Sequence, residues 1–405
     1  MVGLYKKSEN VVSCMIKMLL SPKTNIRLPS TLRSIGTVGL FLLGCSLAAF
    51  LVFVRTHPWT QNFYVQKEME REILPRFDRS TCCVSVDRPE DICGRPNCTS
   101  SCLQKDRVTA ALENDQVKFC SDEKEKAFFL ETSGTGSLNF RQACSVESLA
   151  LHNPNLTVNV LFLDAPIISS ATALSKLKEK YSNIRLVSIR LDEYVAGTPL
   201  EHWYHCTKWR KGPYHVSHLS DGLRFMTLQK YGGYYFDLDV IVVQPVTYYR
   251  NFVGAAADGE YVASGVIHAD RGNEVINLAV KEFVSNYRSH IWAHNGPHLL
   301  LRVLKNWCEV ENLQSMNYVS CRGFNILPKS SFQPVHYSNT KEFFVQRLAN
   351  KTLENPTWLN TNVVGVHTFN NLSKDRPIFK NSTQIYTWLA KTHCPVIFSV
   401  APNVF

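Results

Sequence analysis

"YGGYYFDLDVIVV", residues 231–243, places two carboxylates two positions apart inside an otherwise apolar run. Carboxylates are poor strand residues and costly to bury unpaired, so their presence needs a reason. Read as a strand from Tyr234 to about Val243, the run sends Asp237 and Asp239 to one face, roughly 6–7 Å apart at the backbone. Leu238 then points the other way, into packing. Two carboxylates so spaced can hold one hydrated divalent cation, and hard oxygen ligands suit Mg²⁺ or Mn²⁺, which in turn bind a diphosphate. A chain of 405 residues contains roughly one Asp-x-Asp by chance, so the apolar bracket, not the pattern, carries the weight.

Upstream, "HLSDGLRFMTLQK" (218–230) reads as a helix with Ser220 as N-cap and Leu219, Leu223 and Met226 on one apolar face. Gly232-Gly233 ends it and permits a tight turn. Asp221 and Arg224, three apart, are neighbours on that helix; the plain alternative is a surface ion pair of little consequence. Before it, "KAFFLETS" (126–133) reads as strand and loop and "ACSVESLALHN" (143–153) as helix. "VNVLFLDAP" (158–166) reads as a buried strand, "ATALSKLKEKYS" as an amphipathic helix, and "IRLVSIRL" (184–191) as another strand. Strands alternating with helices predict an α/β fold with a mainly parallel sheet. At the C-terminal end of a parallel strand, the two aspartates would face the crevice where open α/β sheets bind ligands.

The net charge of +10 invites a nucleic-acid reading, but its distribution argues against one. Residues 1–33 hold six basic residues against one acid, Glu9, and no basic stripe with interleaved aromatics follows. Residues 34–54 carry no charge over 21 positions, which as a helix spans roughly the 30 Å of a bilayer core. The expected organisation is a cytosolic tail (1–33), a transmembrane signal-anchor (34–54), a lumenal stem with a Cys cluster (55–115) and a catalytic domain (116–405). The basic tail sets a type II orientation. Sequons at Asn97, Asn155, Asn350, Asn371 and Asn381 all follow the span, as do 11 of the 13 Cys, in keeping with an oxidising lumen. The stem Cys fit no common zinc finger and read as disulfide partners.

The helix, Gly-Gly turn and DXD run of residues 219–243 resemble the Golgi α1,4-glycosyltransferase family. So do "FLETS" (129–133), "CSVES" (144–148), "GTPLEHWY" (197–204), "NGPHLLLRVLKNWC" (295–308), "CRGFNILP" (321–328) and "VGVHTFNNLS" (364–373), in family order. The resemblance implies a GT-A-like, Rossmann-type nucleotide-sugar-binding fold, Mn²⁺ as cofactor and retention of anomeric configuration. It implies UDP-Gal, UDP-GalNAc or UDP-GlcNAc as donor and a terminal β-galactose of a glycosphingolipid, such as lactosylceramide, as acceptor. Golgi residence is implied too; homo- or hetero-oligomers there stay open. Carried over by residue, Asp237 and Asp239 hold metal and donor, and Asp221 and Arg224 contact donor sugar and ribose or phosphate. Glu131, Thr132 and Ser133 border the uridine pocket, Gly233 sits in the donor-binding turn, and His367, Asn370 and Ser373 close over the diphosphate, His367 as a third metal ligand. Phe369 stands where the family pattern has Trp, and His218 where a small residue is usual.

Two other readings are weighed against transfer. A glycoside hydrolase needs carboxylates flanking the scissile bond, whereas these share one strand face. A non-catalytic Golgi glycan-binding protein would have little use for both metal carboxylates. No carboxylate nucleophile stands out, which favours same-face attack by the acceptor. Elsewhere, Leu299, Leu300, Val303 and Leu304 read as core, Asn295-Gly296-Pro297 as a turn bordering the acceptor cleft, and His298, Trp203 and Trp307 as structural. Cys308 and Cys321 are close enough to pair.

Overall fold

A computed structural model describes residues 125–256, 258–346 and 356–405. The tail, the 34–54 segment, the stem Cys and the sequons at Asn97 and Asn350 lie outside the described residues. Among the described residues no helix is long and apolar enough to cross a membrane. Asn155, Asn371 and Asn381 are exposed.

The chain order is β1 (Lys126–Glu131), α1 (Phe140–His152), β2 (Thr157–Leu163), α2 (Thr172–Lys180), β3 (Ile184–Ile189), α3 (Leu191–Val195), α4 (Leu200–Cys206) and α5 (His215–Tyr231). Then follow β4 (Gly233–Phe236), β5 (Val240–Val242), β6 (Phe252–Ala255), β7 (Val262–Ala269), α6 (Glu274–Ser285) and α7 (Pro297–Cys308). The last elements are β8 (Asn325–Leu327), β9 (Gly365–His367), α8 (Asn370–Ser373), α9 (Ile385–His393) and α10 (Pro395–Val400). Seven strands form one mixed sheet in the order β3-β2-β1-β4-β7-β6-β8, and β5 with β9 forms a second, two-stranded one. β3, β2, β1 and β4 are mutually parallel; β7 joins β4 antiparallel. This is the mixed α/β sheet expected of a GT-A-like fold.

The strands are apolar on both faces because each face meets a separate core. Ala127, Phe129, Val158, Val160, Tyr234 and Phe236 pack with α1, α2 and the C-terminal helices. Their neighbours Phe128, Leu130, Leu161, Leu163 and Tyr235 pack on the opposite face with α4–α7. Each such large side chain contributes about 1.5–3 kcal/mol on full burial. α1 starts earlier than its apolar spacing alone predicts, because Asn139 and Gln142 form a reciprocal capping box.

Two expectations are corrected. The apolar run holding the aspartates is not one strand. β4 ends at Phe236, residues 237–239 turn, with Val240 N–H donating to the Asp237 carbonyl (3.2 Å), and β5 leaves for the second sheet. Both pieces are β-branched or aromatic, so local sequence cannot show the break. Nor does α5 start at Ser220: it begins at His215 without a side-chain cap. The Ser220 hydroxyl instead accepts from Arg224 Nη2 (3.1 Å).

Candidate active site

Asp237 follows β4 at the C-terminal end of the central strand, and its N–H donates to the Gly265 carbonyl of β7 (2.8 Å). Each aspartate has one carboxylate oxygen engaged by protein and one turned to a shared point. Asp237 Oδ1 accepts from the Tyr235 hydroxyl (2.7 Å), and Asp239 Oδ2 accepts from the Asn370 N–H (2.8 Å). Asp237 Oδ2 and Asp239 Oδ1 lie 4.0 and 3.4 Å from His367 Nε2, at the end of β9. One ligand atom from each of the three lies within 4.8 Å of the others. Two hard oxygens and an imidazole nitrogen fit a divalent first-row cation. His367 Nδ1 accepts from Phe369 N–H (3.2 Å), which assigns the ring proton to Nε2. Ligation through Nε2 therefore requires the other tautomer and release of that contact.

Burial alone would lower the His367 pKa, but Asp239 and then Asp237 outweigh it and raise it. Burial works against the Asp237 carboxylate too, yet Arg224 and His367 hold it low. Asp239, without the arginine contact, is raised by burial.

Arg224 is the hub of the opposite wall. Its Nη1 donates to the Ser264 carbonyl (2.7 Å) and hydroxyl (3.0 Å). Nη2 lies 3.3 Å from Asp221 Oδ1 and 3.4 Å from Asp237 Oδ1, and the guanidinium sits 4.8 Å over the Tyr235 ring. The surface-pair alternative is thereby excluded: Asp221 and Arg224 are both buried. With its donors engaged inside the protein, Arg224 orients Asp221 and Asp237. Asp221 is pushed up to about 7, mainly by burial, with Arg224 opposing.

Two close approaches were illegible in the sequence. A Cβ on Gly265 would lie 2.7 Å from Asp237 Oδ2, and one on Gly296 would lie 2.4 Å from Asp221 Oδ1. Gly296 belongs to the turn read as bordering the acceptor cleft; the structure seats it on Asp221. Nothing local marks Ser264, Gly265 or Tyr235 as site residues.

Glu131 ends β1 at the same sheet end. Its Oε1 accepts from the Ser133 N–H (2.8 Å) and hydroxyl, while Oε2 is buried without a partner. Such an orphan at the strand-end crevice suits a polar ligand group. Thr132 is half-buried and Ser133 exposed beside it. Asn370 reaches the site through its backbone N–H. Ser373 does not reach it: buried, its hydroxyl donates to the Thr368 carbonyl (3.1 Å). The donor role for Gly233 is corrected as well. Gly233 opens β4, at the far end of the strand from Asp237, and a Cβ there would fall 2.2 Å from the Lys126 carbonyl oxygen. Close strand packing, not a ligand, requires that glycine. His218 is buried and bonds the Tyr287 hydroxyl and the Trp292 carbonyl (both 3.1 Å). Cys308, which spacing alone left open to pair with Cys321, is bonded to it, and Cys144 is bonded to Cys394.

Two family models match the chain. A "glycosyltransferase sugar-binding region containing DXD motif" covers residues 139–258, with both aspartates, and an "alpha 1,4-glycosyltransferase conserved region" covers 268–401, with His367 and Asn370. Lactosylceramide 4-alpha-galactosyltransferase of Mus musculus is 34% identical over 272 residues, 66% of this chain and 74% of that protein. The Homo sapiens protein of that name is 32% identical, over 66% of this chain and 75% of its own length. Alpha-1,4-N-acetylglucosaminyltransferase of Homo sapiens is 28% identical, over 66% and 78% respectively. The chain belongs to the α1,4-glycosyltransferase family, and it is a hexosyltransferase built around a DXD turn.

Proposed function

We propose that this enzyme moves galactose, or an N-acetylhexosamine, from a UDP-sugar to the 4-position of a terminal β-galactose on a glycosphingolipid such as lactosylceramide, with retention. The observation that carries this reading is the convergence of Asp237 Oδ2, Asp239 Oδ1 and His367 Nε2 at the C-terminal edge of the central strand. Mn²⁺ is the proposed cation; bound there, it supplies neutralisation of the departing diphosphate. The protein's own part is orientation. Tyr235 and Arg224 fix Asp237, Asn370 fixes Asp239, and the unpartnered Glu131 Oε2 is a waiting acceptor on the nucleotide side. Double displacement would need a free carboxylate on the far sugar face. Asp221 is held by Arg224 against Gly296, so attack by the acceptor on the leaving-group side is the simpler route. The basic tail and the uncharged 34–54 segment support a type II membrane anchor with the catalytic domain lumenal, and Golgi residence rests on the family resemblance.

The test is the full-length enzyme in detergent micelles with Mn²⁺, lactosylceramide and each of UDP-Gal, UDP-GalNAc and UDP-GlcNAc in turn, with product mass and linkage as readout. Asp239→Asn should abolish product while leaving Tm within a few degrees, because the amide oxygen can still accept from Asn370. Product formed equally well by that variant would sink the reading. The GlcNAc-transferring relative makes UDP-GlcNAc the donor to compare most carefully.

A further inference from the structure

The loop between α6 and α7 is built, not slack. Its base is closed by Asn295, fully buried, whose side chain accepts from the Arg288 N–H and donates to the Arg288 carbonyl (both 2.9 Å). Its tip is a turn, with His294 N–H donating to the Ile291 carbonyl (3.2 Å). The buried His218 grips that tip through the Trp292 carbonyl, and Gly296 closes against Asp221. Residues 292–296 therefore run along one face of α5, since positions 218 and 221 are three apart. On this fixed tip Ile291 and Trp292 are 50% and 53% exposed. The framework is ordered at the cost of leaving two large apolar side chains in water.

Their place in the fold gives them a use. α5 leads through Gly232 into β4, so its N-terminal turns stand at the Asp237 end of the sheet. The Arg224 guanidinium folds back one turn onto Ser220 and Asp221, where it also meets Asp237, so Asp237 is level with that turn and His218 lies one turn farther out. Three residues of helix put the Trp292 carbonyl, held by His218, about 4–5 Å outward from Asp221. The tip therefore flanks the cation site on its outer side, next to Asp221, within reach of a sugar bound there.

We propose that Trp292 is the platform on which the terminal sugar of the acceptor stacks. The inference rests on the transferase function proposed above. A β-galactose offers an apolar face made of the hydrogens on C3, C4 and C5, which suits the face of an indole. With that face on Trp292, the axial 4-hydroxyl projects from the opposite face, clear for attack on the donor sugar. The Asn295 clamp and the His218 grip set the height of the platform over Asp221.

The test uses full-length enzyme and Trp292→Ala, with Trp292→Phe as the conservative variant. Binding of lactose to enzyme loaded with Mn²⁺ and UDP is read by calorimetry. Initial rates are measured with free lactose and with lactosylceramide, beside UDP release without acceptor and Tm. Trp292→Ala should weaken lactose binding and raise the KM of both acceptors about tenfold or more, with donor KM and acceptor-free UDP release within about twofold. Trp292→Phe should recover part of the loss. Unchanged lactose binding, or no lactose binding by the unmodified enzyme, overturns the proposal. A loss confined to lactosylceramide overturns it in favour of bilayer contact. A parallel fall in UDP release and Tm assigns Trp292 to packing instead. Lactose binding that depends on Trp292, in an enzyme that releases no UDP from any UDP-sugar, keeps the platform and removes the proposed donor.

Discussion

Gly265→Ala adds one methyl group at the point where two sheets and the candidate cation site meet. The new Cβ would stand 2.7 Å from Asp237 Oδ2 and 3.3 Å from two atoms of the His367 ring. Carbon and carboxylate oxygen settle near 3.4 Å, so one side must give by about 0.7 Å. The backbone of Gly265 is held, because its carbonyl accepts the Asp237 N–H within a central strand pair. The carboxylate is the softer party, although Tyr235 and Arg224 hold its other oxygen. The displaced atom is the one facing the cation site, in a position that tolerates roughly 0.5 Å. A misplacement near 1 Å can cost about a hundredfold in rate, so kcat/KM should fall about 10- to 100-fold, with a matching rise in the Mn²⁺ needed for half-maximal rate. Overpacking should take only about 1–3 kcal/mol from stability. Metal titrations of initial rate, paired with urea unfolding, read both quantities. Gly254→Ala is the control: it lies in the same sheet, and its Cβ would meet Phe332 at an ordinary 3.4 Å. Gly265→Ala with unmodified rate and metal requirement would refute the placement of Asp237 Oδ2 as a ligand.

Arg141 of α1 donates to the carbonyls of Ser373 (2.9 Å) and Arg376, with its guanidinium 5.3 and 5.7 Å over the rings of Phe344 and Tyr386. Arg141→Lys keeps the charge but loses the fork, and should cost about 1.5–3 kcal/mol in urea unfolding and raise donor KM more than acceptor KM; equal effects on both would deny it a role in holding α8. His393 is depressed to about 4, first by burial and then by His152, whose Nε2 is 2.9 Å from its Nδ1. Its folded pKa lies below the ordinary 6.5, so the unfolded chain binds the extra proton between those values. Stability is complete above about pH 6.5 and should fall by about 2–3 kcal/mol on going down to about pH 4. Urea midpoints across that range should slope less for His393→Gln, and identical slopes would reject the assignment.

How much of this was readable beforehand depended on how local each cause is. β1, α1, β2, α2 and β3 were legible because a strand buried on both faces is a short apolar run and a covering helix has its own period. The division of residues 234–243 into two strands was not, because it is decided by β9, more than 120 residues later in the chain. Spacing made Asp221 and Arg224 neighbours, but only packing against β7 and Gly296 turns that pair into a buried hub. The start of α5 at His215 has no capping signal, since contacts along most of its circumference hold it. Gly265 and Ser264 sit in an ordinary strand sequence, and their importance lies in what approaches them from β4 and α5. Cys144 and Cys394 are 250 residues apart, a distance at which spacing says nothing.

The same long-range character explains why α1 matters to a site it does not touch. Asp239 is locked from the C-terminal side three times: its carbonyl accepts the Thr368 N–H (2.9 Å) and hydroxyl (3.0 Å), and its carboxylate accepts the Asn370 N–H. The strand pair carrying this lock has only three residue pairs, and an isolated two-stranded ribbon is marginal in water. It must therefore be held from outside, and α1 does so at four points. Ser148 Oγ accepts the Val242 N–H (2.9 Å), and Arg141 holds the carbonyls of Ser373, the last residue of α8, and of Arg376 just after it. Glu147 accepts the N–H groups of Val396 (2.9 Å) and Ile397 (2.7 Å) in α10, and Cys144 is bonded to Cys394. Geometry at Asp239 is thus set by a helix more than eighty residues earlier, through a segment more than a hundred residues later. The carboxylates of the DXD turn converge because the C-terminal segment is pinned, and not because a strand alternates.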